Sequence, residues 1–241
     1  MRRFYIDKGR IEAGIVTING REAHHIRDVI RLRPGDRFIG FDGQGKNYML
    51  RVKSIGSDIK AGIERTSLQR VDSPDILLAC ALPKKSKIDY IIEKATELGV
   101  KDIIPMITKH TVVKVDKQSG IKKKKRWEKI ALEASKQCGR DTLPKIHAIA
   151  GFKQALELSE RLGYKNRLIP YVCESATHIK DALPKKTSTI AIFIGPEGDF
   201  SREEIELAKT YNFKTVSLGN LVLRVDTAAI FAISAVCNIF N

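Results

Sequence analysis

Apolar and polar residues alternate in short segments over residues 1–72, and glycine, asparagine or aspartate separates these segments. The clearest are GIVTING, RFIGFDGQGKNYMLRVKSIG and AGIERTS. A period of two with such separators is typical of short strands and hairpins. One helix-like insert, AHHIRDVIRL, lies between the first two segments and stops at the turn signal Pro34-Gly35-Asp36. The pattern predicts a small β-barrel or β-sandwich.

Beyond residue 74 the pattern changes to alternating segments of strand length and helix length. ILLACAL (76–82) is a continuous apolar run, and the segment after it places five apolar residues on one helical face, Ile88, Ile91, Ile92, Ala95 and Leu98. Further strands are predicted near 102–107, 145–149, 167–173, 189–195 and 215–219, and further helices near 125–138, 152–162, from Ser201 onward and at the C-terminus. This alternation predicts a mostly parallel sheet with helices on both faces. Residues 69–74 are typical of a linker, so we predict two domains, 1–72 and 73–241.

The composition excludes several classes of protein. Apolar residues make up 43% of the chain, too many for a wholly disordered protein. The segment MRRFYIDKGR has no apolar stretch after its arginines, which argues against a signal peptide, and the run 227–240 is too short to span a bilayer. Four cysteines without a CxxC pair predict reduced core thiols of a cytosolic protein, with no zinc site and no disulfide, at Cys80, Cys138, Cys173 and Cys237.

The positive charge of the chain is unevenly distributed. The formal net charge is +15, of which residues 1–72 carry +6, residues 73–150 carry +8 and residues 151–241 carry only +1. A basic region next to a nearly neutral one indicates that residues 1–150 face a polyanion and that the last third has a different task.

Two loops that follow predicted strands are candidates for a ligand site, because ligands of open α/β sheets bind at the carboxyl ends of strands. The first is GPEGDFS (195–201) and the second is LGNLVLRVDTA (218–228), although each alone is also compatible with an ordinary strand–helix turn. The chain has no G-x-x-x-x-G-K-[ST] or G-x-G-x-x-G motif, and its five histidines lack metal-ligand spacing. A nucleotide ligand would therefore be held by loop backbone.

Several longer blocks identify a family. KIDYIIEKATELGV, EASKQCGRDTLPKI, GPEGDFSREEIELA and VSLGNLVLRVDTAAIFA occur in this order, after HHIRDVIRLRPGD in the first domain. In combination they resemble the bacterial 16S rRNA (uracil-N3)-methyltransferases, the small subunit methyltransferase E family of the SPOUT superfamily. The resemblance covers nearly the whole chain. It implies an α/β fold class with an N-terminal β-barrel, in which a PUA-like barrel grips RNA and a SPOUT α/β domain ends in a trefoil knot.

The resemblance also implies a cofactor, S-adenosylmethionine, and an obligate homodimer. Carried over by position, the cofactor-binding residues are Ile194, Gly195, Pro196, Glu197, Gly198, Leu218, Gly219, Leu223 and Arg224. This chain has Asp199 where the family usually has a second glycine, and Asp226 where it usually has a glutamate. Because aspartate tolerates a left-handed backbone better than most residues, we expect the first loop to be retained.

The reaction that the resemblance implies gives two residues a catalytic role. Uracil N3 must lose its proton, and negative charge then spreads onto the two flanking carbonyl oxygens. We assign Arg224 to stabilise that charge and Glu197 to act as base or orienter, with a backbone carbonyl as another acceptor of the proton. Two alternatives stay open: Glu197 organises its loop, and Arg224 forms a structural ion pair with Asp226.

The substrate implied is 16S rRNA or the small ribosomal subunit, with no membrane and no metal. Because N3 lies on the Watson–Crick edge, the target base must be unpaired or flipped out. The candidate RNA contacts are Arg2, Arg3, His24, Arg27, Arg31, Arg33, Lys122, Lys123, Arg126 and Arg140. The alternatives are a non-catalytic RNA-binding or ribosome-assembly module of the same fold, or a SPOUT methylase acting on another RNA.

Overall fold

The chain divides into two units, described here from a computed structural model of residues 2–69, 74–84, 87–172, 176–184 and 187–240. The first unit contains the described residues up to 69 together with Ser135–Leu143, and the second contains the rest. Ser135–Leu143 belong to the first unit although the prediction of domains 1–72 and 73–241 places them in the second. The boundary at 72/73 stays a prediction, because residues 70–73 lie outside the described residues, as does Cys173.

The first unit is built on a six-stranded sheet. Its strands are β1 Arg3–Tyr5, β2 Ile11–Glu12, β3 Ile15–Ile18, β4 Arg37–Phe41, β5 Lys46–Ile55 and β6 Ile59–Leu68. Their order is β1-β4-β5-β6-β3-β2, with β1 parallel to β4 and the other pairs antiparallel. In β5, Leu50 and Val52 are buried whereas Arg51 is exposed, so the alternation in the sequence corresponds to the two faces of the sheet.

The predicted helical insert of the first unit is present but irregular. An α-helix α1, Gly20–His24, continues as a π-helical segment, His25–Ile30. It ends at Arg31, whose backbone is left-handed with a φ of 58°. Only Ala23 and Ile26 are buried in the insert, which leaves its basic side chains at the surface.

The second unit contains a parallel sheet. Its strands are β7 Asp75–Ala81, β8 Asp102–Ile107, β9 Lys145–Ile146, β10 Ala150–Gly151, β11 Asn166–Pro170, β12 Thr177–His178, β13 Thr189–Ile194 and β14 Phe213–Ser217. The order is β10-β8-β7-β13-β11-β14-β12, β9 pairs with β8, and every described pair is parallel. The parallel sheet predicted from the alternation is confirmed.

Helices cover both faces of this sheet. They are α2 Lys87–Glu97, α3 Lys117–Cys138, α4 Phe152–Arg161, α5 Arg202–Thr210 and α6 Val225–Phe240. The side chains of α2, α3 and α6 share one apolar cluster, and those of α4 and α5 share the cluster on the other face. Helix α3 begins eight residues before its predicted start, because its first turns are polar and show no apolar face.

Two expectations about buried segments can be compared with the structure. Helix α6 packs against α2, β7 and β13, and among the described residues no helix is long and apolar enough to cross a membrane. Cys80 is buried and Cys237 half-buried. The prediction of a core thiol is wrong for Cys138, which is exposed because it ends α3. The trefoil knot stays a prediction.

Candidate functional site

A cavity of about 670 Å³ lies at the carboxyl ends of the neighbouring strands β13, β11 and β14. This is the edge of a parallel sheet where ligands bind in open α/β folds. The volume is in the range of sites for small molecules. The residues around it are Pro170, Tyr171, Val172, Ala176, Ile194, Gly195, Pro196, Glu197, Asp199, Val216, Ser217, Leu218, Gly219, Asn220, Leu221, Val222, Leu223, Arg224, Val225 and Ala228.

The first wall is the loop between β13 and α5. Its end is fixed by a capping box, in which Ser201 Oγ accepts from the backbone N–H of Glu204 (3.3 Å) and Glu204 Oε2 accepts from that of Ser201 (2.9 Å). Asp199 has a left-handed backbone, with a φ of 58°, and its Oδ1 accepts from the N–H of Phe200 at 2.8 Å. The loop is retained with aspartate in place of the usual glycine, as expected.

The loop after β8 supports this wall from outside the cavity. His110 Nδ1 lies 3.0 Å from the carbonyl oxygens of both Gly198 and Asp199, and it must donate because carbonyl oxygens only accept. The backbone N–H of Lys109 donates to Glu204 Oε1 at 2.8 Å. The first wall is therefore held both by its own helix cap and by a neighbouring loop.

The side chain of Glu197 has a structural contact in this loop. Its Oε1 accepts from the backbone N–H of Lys84, which follows β7, at 3.0 Å. The residue as a whole is exposed. This contact corresponds to the loop-organising alternative, and a carboxylate with two oxygens retains acceptor capacity for a ligand.

The second wall is the loop between β14 and α6. Gly219 has a φ of 117°, and its N–H donates to Ser217 Oγ at 3.1 Å. Only glycine adopts this conformation without strain. Beyond it, Leu221 and Val222 are 79% and 84% exposed, unusual for apolar side chains. The tight turn thus directs an apolar segment along the cavity rim.

Arg224 ends the second wall and is exposed at the cavity. Within the described residues its guanidinium has no hydrogen-bond or ion-pair partner. Asp226 is instead paired with Lys87, whose Nζ lies 3.0 Å from Oδ1. The alternative in which Arg224 is neutralised by Asp226 is therefore wrong.

Burial and charge shift the pKa values of three groups near the cavity. Burial raises the pKa of Asp199, against hydrogen bonds from the N–H groups of Phe200 and Val172. Burial raises the pKa of the Cys80 thiol to about 12, with smaller contributions from the carboxylates of Glu197 and Asp226. Burial opposes ionisation of Asp226 as well, but hydrogen bonds led by that of Lys87 outweigh it and lower its pKa.

The structure brings together nearly all of the predicted cofactor residues. Those at the cavity are Ile194, Gly195, Pro196, Glu197, Leu218, Gly219, Leu223 and Arg224. Gly198 is not among the lining residues, since it faces His110. The sequence reasoning missed the end of β11 and the two residues after it, Pro170 to Val172. Their contribution follows from the position of β11 between β13 and β14, which no local signal in the sequence gives.

Of the predicted RNA contacts in the first unit, several already have partners. Arg3 is paired with the buried Asp141 and lies over the ring of Phe41 at 5.4 Å. His24 and Arg27 both contact Asp28, at 2.6 and 2.8 Å. The Nε of Arg140 donates to Thr142 Oγ1 at 2.8 Å. The predicted residues that are exposed without a side-chain partner in the described part of this unit are Arg2, Arg31 and Arg33.

In the second unit, the predicted RNA contacts lie on the first half of α3. Arg126 is paired with Asp89, which also accepts from Trp127 Nε1 at 3.0 Å. Lys122 and Lys123 are exposed, and no described carboxylate pairs with either. The two lysines are thus the available cations of this group.

Comparisons with known proteins agree with this architecture. Residues 71–237 match the family model described as RNA methyltransferase domain, and residues 18–61 match the one described as RNA methyltransferase PUA domain. The chain is 33% identical to ribosomal RNA small subunit methyltransferase E of Bacillus subtilis (strain 168), over 98% of this chain and 96% of that protein. It is 30% identical to the protein of the same name from Rickettsia conorii, over 97% and 94%.

Solved structures give the same result. The crystal structure of a ribosomal RNA small subunit methyltransferase E from Neisseria gonorrhoeae bound to S-adenosyl methionine is similar with a TM-score of 0.87 and 28% identity, covering 100% of this chain and 98% of that one. A putative methyltransferase from Legionella pneumophila, in complex with bound cofactor SAM, has a TM-score of 0.86 and 30% identity, with 97% and 96% covered. These matches confirm the fold class predicted from the sequence.

Proposed function

Since the chain belongs to the family of the ribosomal RNA small subunit methyltransferase E proteins, we propose that it transfers a methyl group from S-adenosylmethionine to N3 of a specific uridine in 16S rRNA. It is an S-adenosylmethionine-dependent rRNA methyltransferase of the small subunit. The observation that carries the finer proposal is a cavity of small-molecule size with Arg224 at its rim, whose guanidinium has no partner among the described residues.

The cavity fits the cofactor in size and in chemistry. Its volume suits a small ligand, and its walls combine apolar side chains with backbone groups of the loops before α5 and α6. At Gly195 a Cβ atom would lie 3.1 Å from the ring of Phe200, so the backbone here is closely packed. We propose that Ile194 to Gly198, Leu218, Gly219, Leu223 and Arg224 hold the cofactor, with Gly198 acting through the loop conformation.

The chemistry of the methyl acceptor, uracil N3, determines what the protein must contribute to the reaction. S-adenosylmethionine, when bound, supplies a methyl group that its sulfonium already activates, so neither a metal nor a covalent nucleophile is required. Uracil N3 carries a proton and is a poor nucleophile until that proton is removed. As it leaves, negative charge develops on the two carbonyl oxygens beside N3, and a positioned cation there lowers the barrier.

We assign this cation to Arg224. Its guanidinium is exposed at the cavity and has no described partner, so it can direct two N–H groups at a carbonyl oxygen of the base. Glu197 is the exposed carboxylate of the first wall. One of its oxygens holds the N–H of Lys84, and the other is available to orient the base or to accept the N3 proton.

Recognition of RNA is assigned to the exposed cations. Among the predicted contacts, those that are exposed without a described side-chain partner are Arg2, Arg31 and Arg33 of the first unit and Lys122 and Lys123 of α3. His24, Arg27, Arg126 and Arg140 reach RNA only if it competes with their present partners. We exclude Arg3 from the proposed contacts, because it is largely buried against Asp141.

We also propose a homodimer in the cytoplasm. The exposed apolar side chains of Leu221 and Val222 support a second protomer, because large apolar residues grouped at a surface favour association. The cytoplasm follows from the proposed substrate, the ribosomal subunit. Sedimentation equilibrium of the wild type and of a Leu221→Ser/Val222→Ser variant tests the dimer, and a monomeric wild type contradicts it.

Identification of the methylated nucleoside tests the function. The protein is incubated with S-adenosylmethionine carrying a labelled methyl group and with either naked 16S rRNA or small subunits lacking the modification. The RNA is then digested to nucleosides for mass spectrometry. We expect 3-methyluridine. Label in a ribose, or in any other base, contradicts the proposal, and absence of transfer together with absence of cofactor binding indicates a non-catalytic module.

A further inference from the structure

Asp199 places a carboxylate at the cavity where the family usually has a glycine. The residue is half-buried and lines the cavity. Its left-handed backbone, with a φ of 58°, and the bond from the N–H of Phe200 to Oδ1 fix the direction of the side chain. Oδ1 also lies 3.4 Å from the position that a Cβ of Gly195 would take, so the carboxylate adjoins the first residue of the loop.

Asp199 is the most shielded of the three charged residues that line the cavity within the described part of the chain. The other two, Glu197 and Arg224, are both exposed. Interactions of a charge at the surface are screened by water and salt, whereas those of a half-buried charge are screened much less. Burial raises the pKa of Asp199, so its carboxylate is partly desolvated, whereas hydrogen bonds from the N–H groups of Phe200 and Val172 favour the ionised form.

The two forms of the cofactor differ by one positive charge. When N3 bonds to the methyl carbon, the bond between that carbon and sulfur breaks and its electron pair stays on sulfur. The sulfonium therefore becomes a neutral thioether, and the molecule changes from a net cation to a neutral zwitterion. Both ligands carry the same ammonium and carboxylate, so a fixed negative charge in the cavity distinguishes them through the charge on sulfur.

We propose that Asp199 is a specificity-determining residue, which makes the cavity favour the cationic methyl donor over the neutral thioether product. This inference rests on the proposed function, since it concerns the same cavity. The carboxylate acts through space, so it requires no direct contact with sulfur. It favours exchange of product for fresh donor after each transfer, an advantage that a glycine at this position does not supply.

Binding constants for three ligands test the inference. Titration calorimetry at pH 8 measures S-adenosylmethionine, S-adenosylhomocysteine and sinefungin, an unreactive analogue with an ammonium in place of the sulfonium. The variants are Asp199→Asn, which keeps the shape and tolerates the left-handed backbone, and Asp199→Gly, which restores the usual residue. Glu206→Gln is the matched control, because Glu206 is an exposed carboxylate of α5 that pairs with Lys209 at 2.7 Å and does not line the cavity.

We expect both Asp199 variants to lose about three- to tenfold of the preference for the two cationic ligands over the thioether, the order expected of two unit charges several ångströms apart in a half-buried site. Glu206→Gln keeps the wild-type ratio. A merely structural role would weaken all three ligands in parallel, and that result, or an unchanged ratio, overturns the inference. Failure of the wild type to bind any of the three overturns the proposed function instead.

Discussion

The Nζ of Lys87 lies 3.0 Å from Oδ1 of Asp226, and this ion pair joins the first turns of α2 and α6. Asp226 lies two residues after Arg224, and its carboxylate is paired with Lys87 rather than with Arg224. The guanidinium of Arg224 is consequently exposed at the cavity without a described partner. A cation without a counter-charge is suited to stabilise an anion that develops on a bound base.

Substitution of Arg224 tests this role. We expect Arg224→Ala to lower kcat for methyl transfer by about 10²–10³-fold, the usual cost of removing one donor to a developing oxyanion. Affinity for S-adenosylmethionine should fall much less than kcat, because the interaction with the base forms in the transition state, whereas any contact of Arg224 with the cofactor is lost from the ground state as well. Single-turnover transfer to 16S rRNA and calorimetry measure the two quantities separately. Near-normal transfer by the variant with both substrates bound contradicts the assignment.

A second prediction concerns the turn at Gly219. Its φ of 117° is unfavourable for any side chain, so Gly219→Ala should deform the second wall and lower cofactor affinity by at least tenfold. Gly163→Ala is the matched control, because Gly163 also has a positive φ (82°) and open space around it but ends α4 away from the cavity. The control should lose thermal stability and keep its affinity. Equal affinities in the two variants contradict the prediction.

The elements of the second unit follow from local sequence, whereas their order in the sheet does not. The apolar face of α2 and the start of a helix at Ser201 depend on residues three or four positions apart, and both are present as predicted. The place of β11 between β13 and β14 depends on contacts distant in sequence. For this reason Tyr171 and Val172 were not predicted at the cavity.

The site shows the same division. The two loops could be predicted as candidates because they follow predicted strands, and the resemblance to the family assigned Gly195, Gly219 and Arg224 within them. The pairing of Asp226 with Lys87, 139 positions away in the chain, could not, and neither could the burial of Arg3 against Asp141. A count of charges predicts a basic surface, but which cations are free depends on which carboxylates fold beside them.

The cysteines provide a third prediction, on chemical reactivity. Burial raises the pKa of the Cys80 thiol to about 12, so at pH 8 only about one molecule in 10⁴ carries the reactive thiolate there, and reagent cannot reach it. Cys138 is exposed. We expect iodoacetamide to modify Cys138 within minutes and Cys80 only after unfolding, as followed by peptide mass mapping. Cys138→Ser, assayed in parallel, should keep full methyl transfer, and rapid modification of Cys80 in the native protein contradicts the described burial.

The stability of the fold should depend on a buried polar cluster at the first residue of β8, Asp102. Asp102 accepts from His147 Nε2 at 2.6 Å and from the hydroxyl of Tyr164 at 2.7 Å. Burial alone would raise the pKa of Asp102, but these bonds outweigh it and lower the pKa. The ionised carboxylate therefore stabilises the fold above the ordinary carboxyl pKa, and this contribution is lost as pH falls through the lower folded value.

We expect Asp102→Asn to lower the free energy of unfolding by about 2–4 kcal/mol at pH 7, because it breaks a buried charge-assisted network. The difference from the wild type should shrink as the pH falls below about 4, because the unfolded wild-type chain then binds a proton at Asp102 that the folded state, with its lowered pKa, does not. Urea titrations at several pH values measure it. Tyr164→Phe removes one hydrogen bond and should cost about 1 kcal/mol. A difference that stays constant down to pH 3 rules out the ionised carboxylate as its source.

The final prediction concerns the exposed lysines of α3. Lys122 and Lys123 lack described partners, and if both contact phosphate, each releases counterions when RNA binds. The double variant Lys122→Ala/Lys123→Ala should weaken binding of a 16S rRNA fragment at low salt and reduce the slope of log K against log salt by about 1–2. The double variant Lys153→Ala/Lys209→Ala is the control with the same charge change. Lys153 of α4 pairs with Glu157 at 4.0 Å and Lys209 of α5 pairs with Glu206 at 2.7 Å, and both lysines are exposed. Filter binding between 50 and 300 mM salt measures the slope for each variant. If the two lysines are only solvated, both variants keep the wild-type slope, and that result contradicts the prediction.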